Sequence, residues 1–121
     1  MKPYLIRLKP KQDIKQELIQ FSKKYNIKVG SIVSAVGSVS QMNVRIADGK
    51  SVVMDQEDRE VFALSGTLVQ HQIHVHIAAI NTKMKVFGGH LMDGCLVHTT
   101  MEITLLDLSD SISATREYDE N

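Results

Sequence analysis

Tryptophan is absent from this sequence, proline occurs twice and cysteine once. The lone Cys95 allows no disulfide within the chain, which points to a reducing compartment. Its thiol has two readings, a small buried hydrophobe, the commoner fate of a free cysteine, or a nucleophile. An excess of either charge is also missing, with 14 Lys and Arg against 14 Asp and Glu. A protein that binds nucleic acid by bulk electrostatics carries a basic surplus, so any such site here must be a local patch. No stretch approaches the roughly 20 apolar residues of a membrane-spanning helix. The opening "MKPYLIRLKPKQ" has no apolar secretory core, because Arg7, Lys9 and Lys11 interrupt it. The expectation is a soluble cytoplasmic protein without membrane contact. Walker, dinucleotide and Gly-x-Ser-x-Gly motifs are missing too. "LSGTL" and "VFGGH" are glycine-containing strands, not phosphate loops.

What remains is enough for one packed domain. The chain has 121 residues, 43% of them hydrophobic, which suits a single core. That core is expected over about residues 4–107 of a single domain 1–121, with a loose polar tail at 108–121. "YLIRLK" (Tyr4–Lys9) alternates apolar and basic residues and predicts an edge strand. "DIKQELIQFSKKYN" predicts a helix. Asp13 can cap it and Gln16 can complete a capping box; Ile14, Leu18, Phe21 and Tyr25 form its apolar stripe, and Asn26 suits a left-handed stop. "VGSIVSAVGSVSQMNVRIA" predicts a strand kinked near Gly37. Asp48-Gly49 marks a hairpin, and "DQEDRE" a solvated loop. "VFALSGTLVQ", "IHVHIAAI", "MKVFGGHL" and "CLVHTTMEITLLDL" predict further strands. In the last of these Cys95, Val97, Ile103 and Leu105 share one face, with His98, Thr100 and Glu102 on the other. One helix and six or seven strands make an α+β domain with a mainly antiparallel sheet. So few helices leave apolar sheet surface uncovered, and oligomerisation is the usual remedy.

Four of the five histidines fall within "HQIHVHIAAINTKMKVFGGH" (His71–His90). On a strand His74 and His76 point to one face, and His71 points away. If Asn81 opposes Lys85 across the following turn, paired residue numbers sum to 166 and His76 faces His90. A two-residue loop would make the sum 165 and turn His90 to the wrong side. The adjoining Gly88-Gly89 pair either marks a bulge or close backbone approach, or clears space beside a site. Three converging imidazoles would leave an ion an open position, the geometry of a catalytic rather than a structural site. Zn²⁺ is the default ion, although Ni²⁺, Fe²⁺ and Cu²⁺ also suit imidazole. The plainer alternative is a polar strand face.

The run "IHVHIAAINTKMKVFGGHLMDGCLVHTTMEI" (Ile73–Ile103) resembles the signature of the PPC domain, the plant and prokaryote conserved domain. "EVFALSG" (Glu60–Gly66) resembles its Glu-led strand ending in Leu-Ser-Gly. "VGSVSQMNVRIA" (Val36–Ala47) is similar to its Gly-Ser segment followed by an arginine, and "RLKPKQDIKQEL" to its first strand and helix. The resemblance covers about residues 4–107. It implies an α+β fold with a mixed, mostly antiparallel sheet, a homotrimer, and a structural relation to acetolactate decarboxylase, where a His-x-His pair and a further histidine hold zinc. By that analogy His74, His76 and His90 match the metal ligands. In plants the domain follows an AT-hook, and no Arg-Gly-Arg-Pro element occurs here. Self-association and protein partnering are the other roles the family implies.

Three functional expectations follow. The first is a free-standing homotrimeric module that binds DNA or a protein partner in a regulatory role. Lys9, Lys11, Lys15, Lys23, Lys24 and Lys28 around the helix are the candidate phosphate contacts. The second is a small metal-dependent enzyme or ligand-binding protein acting on a carbonyl or carboxylate compound. In it the ion polarises the substrate, Arg45 grips a carboxylate through its planar fork, and Glu60 or Glu102 serves as general acid or base. Both glutamates also suit ion pairs on a strand face. A purely structural or oligomeric role is a third expectation.

Overall fold

The computed structural model describes residues 1–114. In chain order they form β1 (Lys2–Leu8), α1 (Ile14–Lys24), β2 (Val29–Arg45), β3 (Val52–Asp55), β4 (Arg59–Val69), β5 (Gln72–Ile80), β6 (Val86–Leu91) and β7 (Leu96–Asp107). No helix among them is long and apolar enough to cross a membrane.

The helix starts where its cap dictates. Asp13 accepts a hydrogen bond from the Gln16 amide at 3.1 Å, and its second oxygen accepts one from the Gly94 amide at 2.8 Å. The expected capping box is only half made, because the Gln16 side chain donates to Asp93 instead, at 2.6 Å. Ile14 and Leu18 are buried, as the helical spacing requires. Phe21 and Tyr25 continue the stripe into an aromatic group with Tyr4, with ring centroids 4.5–5.2 Å apart. Asn26, at φ 51°, makes the left-handed stop.

The strands form one seven-stranded sheet, β1-β7-β2-β4-β5-β6, with β3 beside β2. All strand pairings among the described residues are antiparallel. This corrects the expectation of a mixed sheet. Parallel neighbours need a long crossover, and the one helical crossover joins β1 to β2, which do not pair with each other. The 17-residue β2 is the hub. It pairs with β7, β4, β3 and β6 in turn, so β2, β4, β5 and β6 close on themselves. Its pairing with β7 shifts register near Gly37, where a Cβ would lie 2.1 Å from the Thr100 carbonyl oxygen. Only glycine lets the two backbones come that near.

The inward faces of the sheet and α1 bury Ile6, Leu8, Val39, Met42, Leu68, Met101, Ile103 and Leu105. The alternation read in β7 holds, with Val97, Ile103 and Leu105 inside and His98 and Glu102 outside. "DQEDRE" is a loop only in part: Arg59 opens β4 and is 7% exposed. The start of the polar tail is held down, since Ser109 accepts hydrogen bonds from the Lys28 and Val29 amides. Residues 115–121 of the expected loose tail lie outside the described residues. Large apolar side chains remain uncovered, among them Leu5 (75% exposed), Val33 (62%), Val36 (68%) and Phe62 (57%).

Candidate metal centre

The β5–β6 hairpin sets the geometry. Asn81 and Lys85 face each other, with the Asn81 amide donating to the Lys85 carbonyl at 3.1 Å. The paired residues beyond them are Ile80 and Val86, Ala78 and Gly88, and His76 and His90, each summing to 166. His74 sits two residues before His76, on the same face of β5. The three ring centroids are 5.4–5.8 Å apart, and one nitrogen from each ring lies within 4.8 Å of the others. Nitrogens bound to one tetrahedral ion are about 3.3 Å apart, so small ring rotations would close the remaining distance.

His71 stays apart, but not for the reason parity suggests. It occupies the β4–β5 turn with Gln70, at φ 65° and 50°, and its Nδ1 lies 3.0 Å from the Ser22 hydroxyl on α1. Gly88 and Gly89 are explained by close backbone approach. A Cβ on Gly88 would be 2.5 Å from the Ile77 carbonyl oxygen, and one on Gly89 would be 2.7 Å from that of Arg45. Their bare backbones let β6 lie against β5 and β2 at once.

The electrostatics suit ligation. Burial, and then the positive charge of Arg45, push the His90 pKa down to about 4, with smaller effects from His74, His76 and Lys15. His90 is therefore neutral at ordinary pH, the form that binds a metal. Its Nδ1 is buried without a hydrogen-bond partner, and such an atom calls for an acceptor or an ion. On these grounds the residues fit a divalent cation.

Arg45 on β2 lies opposite His90 on the other side of β6 from His76. The arginine and the three histidines open on one cavity of about 630 Å³, with walls at Ile46, Ala47, Ala63, Ser65, Ala78, Val86 and Gly88. No aspartate or glutamate is among these described lining residues. Glu60 lines a second cavity with His98 and Asp58. Glu102 sits on β7 opposite Arg7 and Val36. The structure thus gathers Arg45 with the histidines and leaves both glutamates elsewhere. Cys95 is fully buried. Burial raises its thiol pKa to about 11, and its sulfur both accepts from and donates to the Asn43 backbone at 3.3 Å. It is the core hydrophobe of the two readings.

One residue had no forecast role. Arg59 donates to Asp55 at 2.8 Å, to Glu57 at 3.2 Å and to the Lys85 carbonyl at 2.6 Å, and it lies over the Phe87 ring. It ties the β3–β4 loop to the hairpin that carries His90. Its acidic neighbours in "DQEDRE" were the available signal, but they read equally as a solvated loop.

Among known proteins, the chain is 42% identical over 107 residues to the bifunctional protein GlmU of Synechococcus sp. (strain JA-3-3Ab). That match covers 88% of this chain and 17% of the relative, so the chain spans about a sixth of that protein's length. A hypothetical protein from Salmonella cholerae-suis superposes with a TM-score of 0.83 at 30% identity, over 86% of this chain and 75% of the other. The fold recurs in a candidate DNA-binding protein from Bacteroides thetaiotaomicron (TM-score 0.81, 24% identity, 93% and 83% covered). It recurs again in a metal-containing protein from Archaeoglobus fulgidus (0.70, 23%, 88% and 79%). Residues 1–109 match the Plants and Prokaryotes Conserved (PCC) domain, the PPC domain of the sequence resemblance, and the chain belongs to that family.

Proposed function

We propose that this chain is a homotrimeric metal-binding module in which His74, His76 and His90 hold one divalent ion, with zinc the first candidate. The convergence of one nitrogen from each of three rings within 4.8 Å carries this reading. The unpartnered Nδ1 of His90 supports it, as do the metal-containing description of the Archaeoglobus neighbour and the zinc-holding histidines of acetolactate decarboxylase that the family resemblance implies. When bound, the ion supplies Lewis-acid polarisation of an oxygen ligand. The chain's own residues orient what enters. With no carboxylate among the described lining residues, they favour binding over proton transfer. Metal analysis of untagged protein should find about one equivalent, and less than about a tenth of that in a His74→Ala/His76→Ala variant. A wild-type content as low as the variant's would overturn the proposal.

The trimer rests on the exposed apolar side chains Leu5, Val33, Val36 and Phe62, which a second and third copy would cover. Light scattering should give about three times the 13.5 kDa chain mass. A monomer would refute the assembly while leaving the metal reading intact. The Synechococcus relative carries the matched stretch as a small share of a larger protein, as suits a module that serves other machinery.

A DNA-binding role is favoured by the description of the Bacteroides neighbour and by the exposed Lys9, Lys11, Lys23, Lys24 and Lys28 flanking α1. It requires salt-sensitive binding, because neutralised phosphates release counterions. Absence of a duplex shift at low salt and micromolar protein would eliminate it.

A further inference from the structure

We propose that the cavity beside the three histidines binds a short-chain carboxylate, with Arg45 gripping the carboxylate and the walls at Ile46, Ala63, Ala78 and Val86 holding the alkyl body. Among the described residues, no hydrogen bond or ion pair engages the Arg45 guanidinium. The other described arginines differ: Arg59 donates to Asp55, Glu57 and the Lys85 carbonyl, and Arg7 donates to Thr100. Arg45 instead lines a cavity of about 630 Å³ that has no acidic residue among its described lining. That volume is typical of small-molecule sites. A half-enclosed cation without a counter-charge has a strong preference for an anion.

The lining decides which anion. Phosphate sites gather several backbone amides, a lysine or a helix N-terminus, and this lining holds neither a lysine nor a residue of α1. A single guanidinium matches the two oxygens of a carboxylate in one plane. Besides Arg45 and the three histidines, the Ser65 hydroxyl is the polar side chain of the lining. The rest is Ile, Ala, Val and Gly, which favours an apolar body of a few carbons. A bound ion would add a second positive centre beside Arg45. The inference thus deepens the metal reading by naming what its open side receives, yet Arg45 suffices when no ion is present.

Sodium butyrate titrated into isotope-labelled full-length protein tests this, in metal-free and zinc-loaded forms, by following the backbone amide shifts of Ala78, Gly88 and Gly89. Wild type should show saturable shifts in both forms, tighter with zinc. Arg45→Met should weaken butyrate by about tenfold or more without changing zinc content. Should Arg45→Met fail to fold, Ala63→Leu on the exposed wall should exclude butyrate and still admit acetate. Equal butyrate affinity in wild type and Arg45→Met, or unchanged butyrate affinity in Ala63→Leu, overturns the proposal. Phosphate bound as tightly as butyrate does so as well. Failure of the metal reading would appear separately, as an absence of zinc whatever butyrate does.

Discussion

Asn81 and Lys85 face each other across the β5–β6 turn, the amide of the first bonded to the carbonyl of the second at 3.1 Å. That one pairing decides where His90 points. The Asn81 side chain reinforces it by accepting hydrogen bonds from the Lys83 and Lys85 amides at 3.0 and 2.9 Å, an Asx arrangement that holds the loop to a fixed length. A slip of one residue would send His90 to the opposite face and dismantle the three-ring group.

Asn81→Ala removes the one oxygen that accepts from both amides and the donor to Glu57. The expected cost is about 1–2 kcal/mol, together with weaker zinc binding as the hairpin samples other registers. Urea unfolding and a competitive zinc titration measure the two effects. If stability falls and zinc affinity stays at the wild-type value, the turn does not set the site.

Gly89→Ala probes the other edge of β6. Where space is free, replacing glycine by alanine stabilises a protein by about 0.4–1 kcal/mol through the unfolded chain. Here the new Cβ would lie 2.7 Å from the Arg45 carbonyl oxygen and 3.2 Å from the Val44 side chain. Crowding of that kind costs about 1–3 kcal/mol, so the net change should be destabilising. It should also push β6 away from β2, separating Arg45 from His90. A variant as stable as wild type, with zinc binding intact, would show that β6 tolerates the displacement.

These positions also show what the sequence could and could not convey. Asp13, Asn26 and Asp48-Gly49 act through bonds to near neighbours, and the cap, the stop and the hairpin were all legible. Period-two alternation placed the buried side of β7. The register of His90 was narrowed to two sums, and the choice of 166 rests on the Asn81 side chain, whose local bonds a strand pattern does not encode. Arg45 was named as a carboxylate partner, but its place beside His90 depends on β2 meeting β6 across some 45 positions. Periodicity carries no information about pairing at that range. Gln70 and His71 form a tight turn at positive φ without glycine, so the usual turn signal was absent and His71 was read as a strand residue.

The role of Arg59 was hidden for a related reason: Asp55 and Glu57 are near in sequence, but the Lys85 carbonyl that ties them to the hairpin lies 26 positions away. Arg59→Met keeps the volume and removes the bonds to Asp55, Glu57 and the Lys85 carbonyl. The two carboxylates are partly exposed and can be rehydrated, so the loss should be about 1–3 kcal/mol, less than for a fully buried pair. Because Lys85 is the residue opposite Asn81, zinc affinity should fall as well. Arg59→Lys should recover little of either, as one ammonium cannot reach three oxygens in the geometry of the fork. Full recovery by lysine would mean that only charge matters at this position.

Cys95 supplies a pH signature remote from the histidines. In the folded chain burial raises its pKa from 9.0 to about 11. Between these values the native thiol keeps its proton while the unfolded one loses it. The native state then binds more protons, and stability falls as pH rises. The contribution is fully present below pH 9 and is lost by roughly 2–3 kcal/mol through pH 11. Lysine and tyrosine titrations act in the same range, so Cys95→Ala is the control. It should be less stable than wild type at pH 8, having lost the sulfur's packing and its contacts with Asn43. The gap should narrow steadily towards pH 11 in urea unfolding experiments. A gap of constant size would mean that the thiol ionises as readily in the fold as outside it, and would contradict its burial.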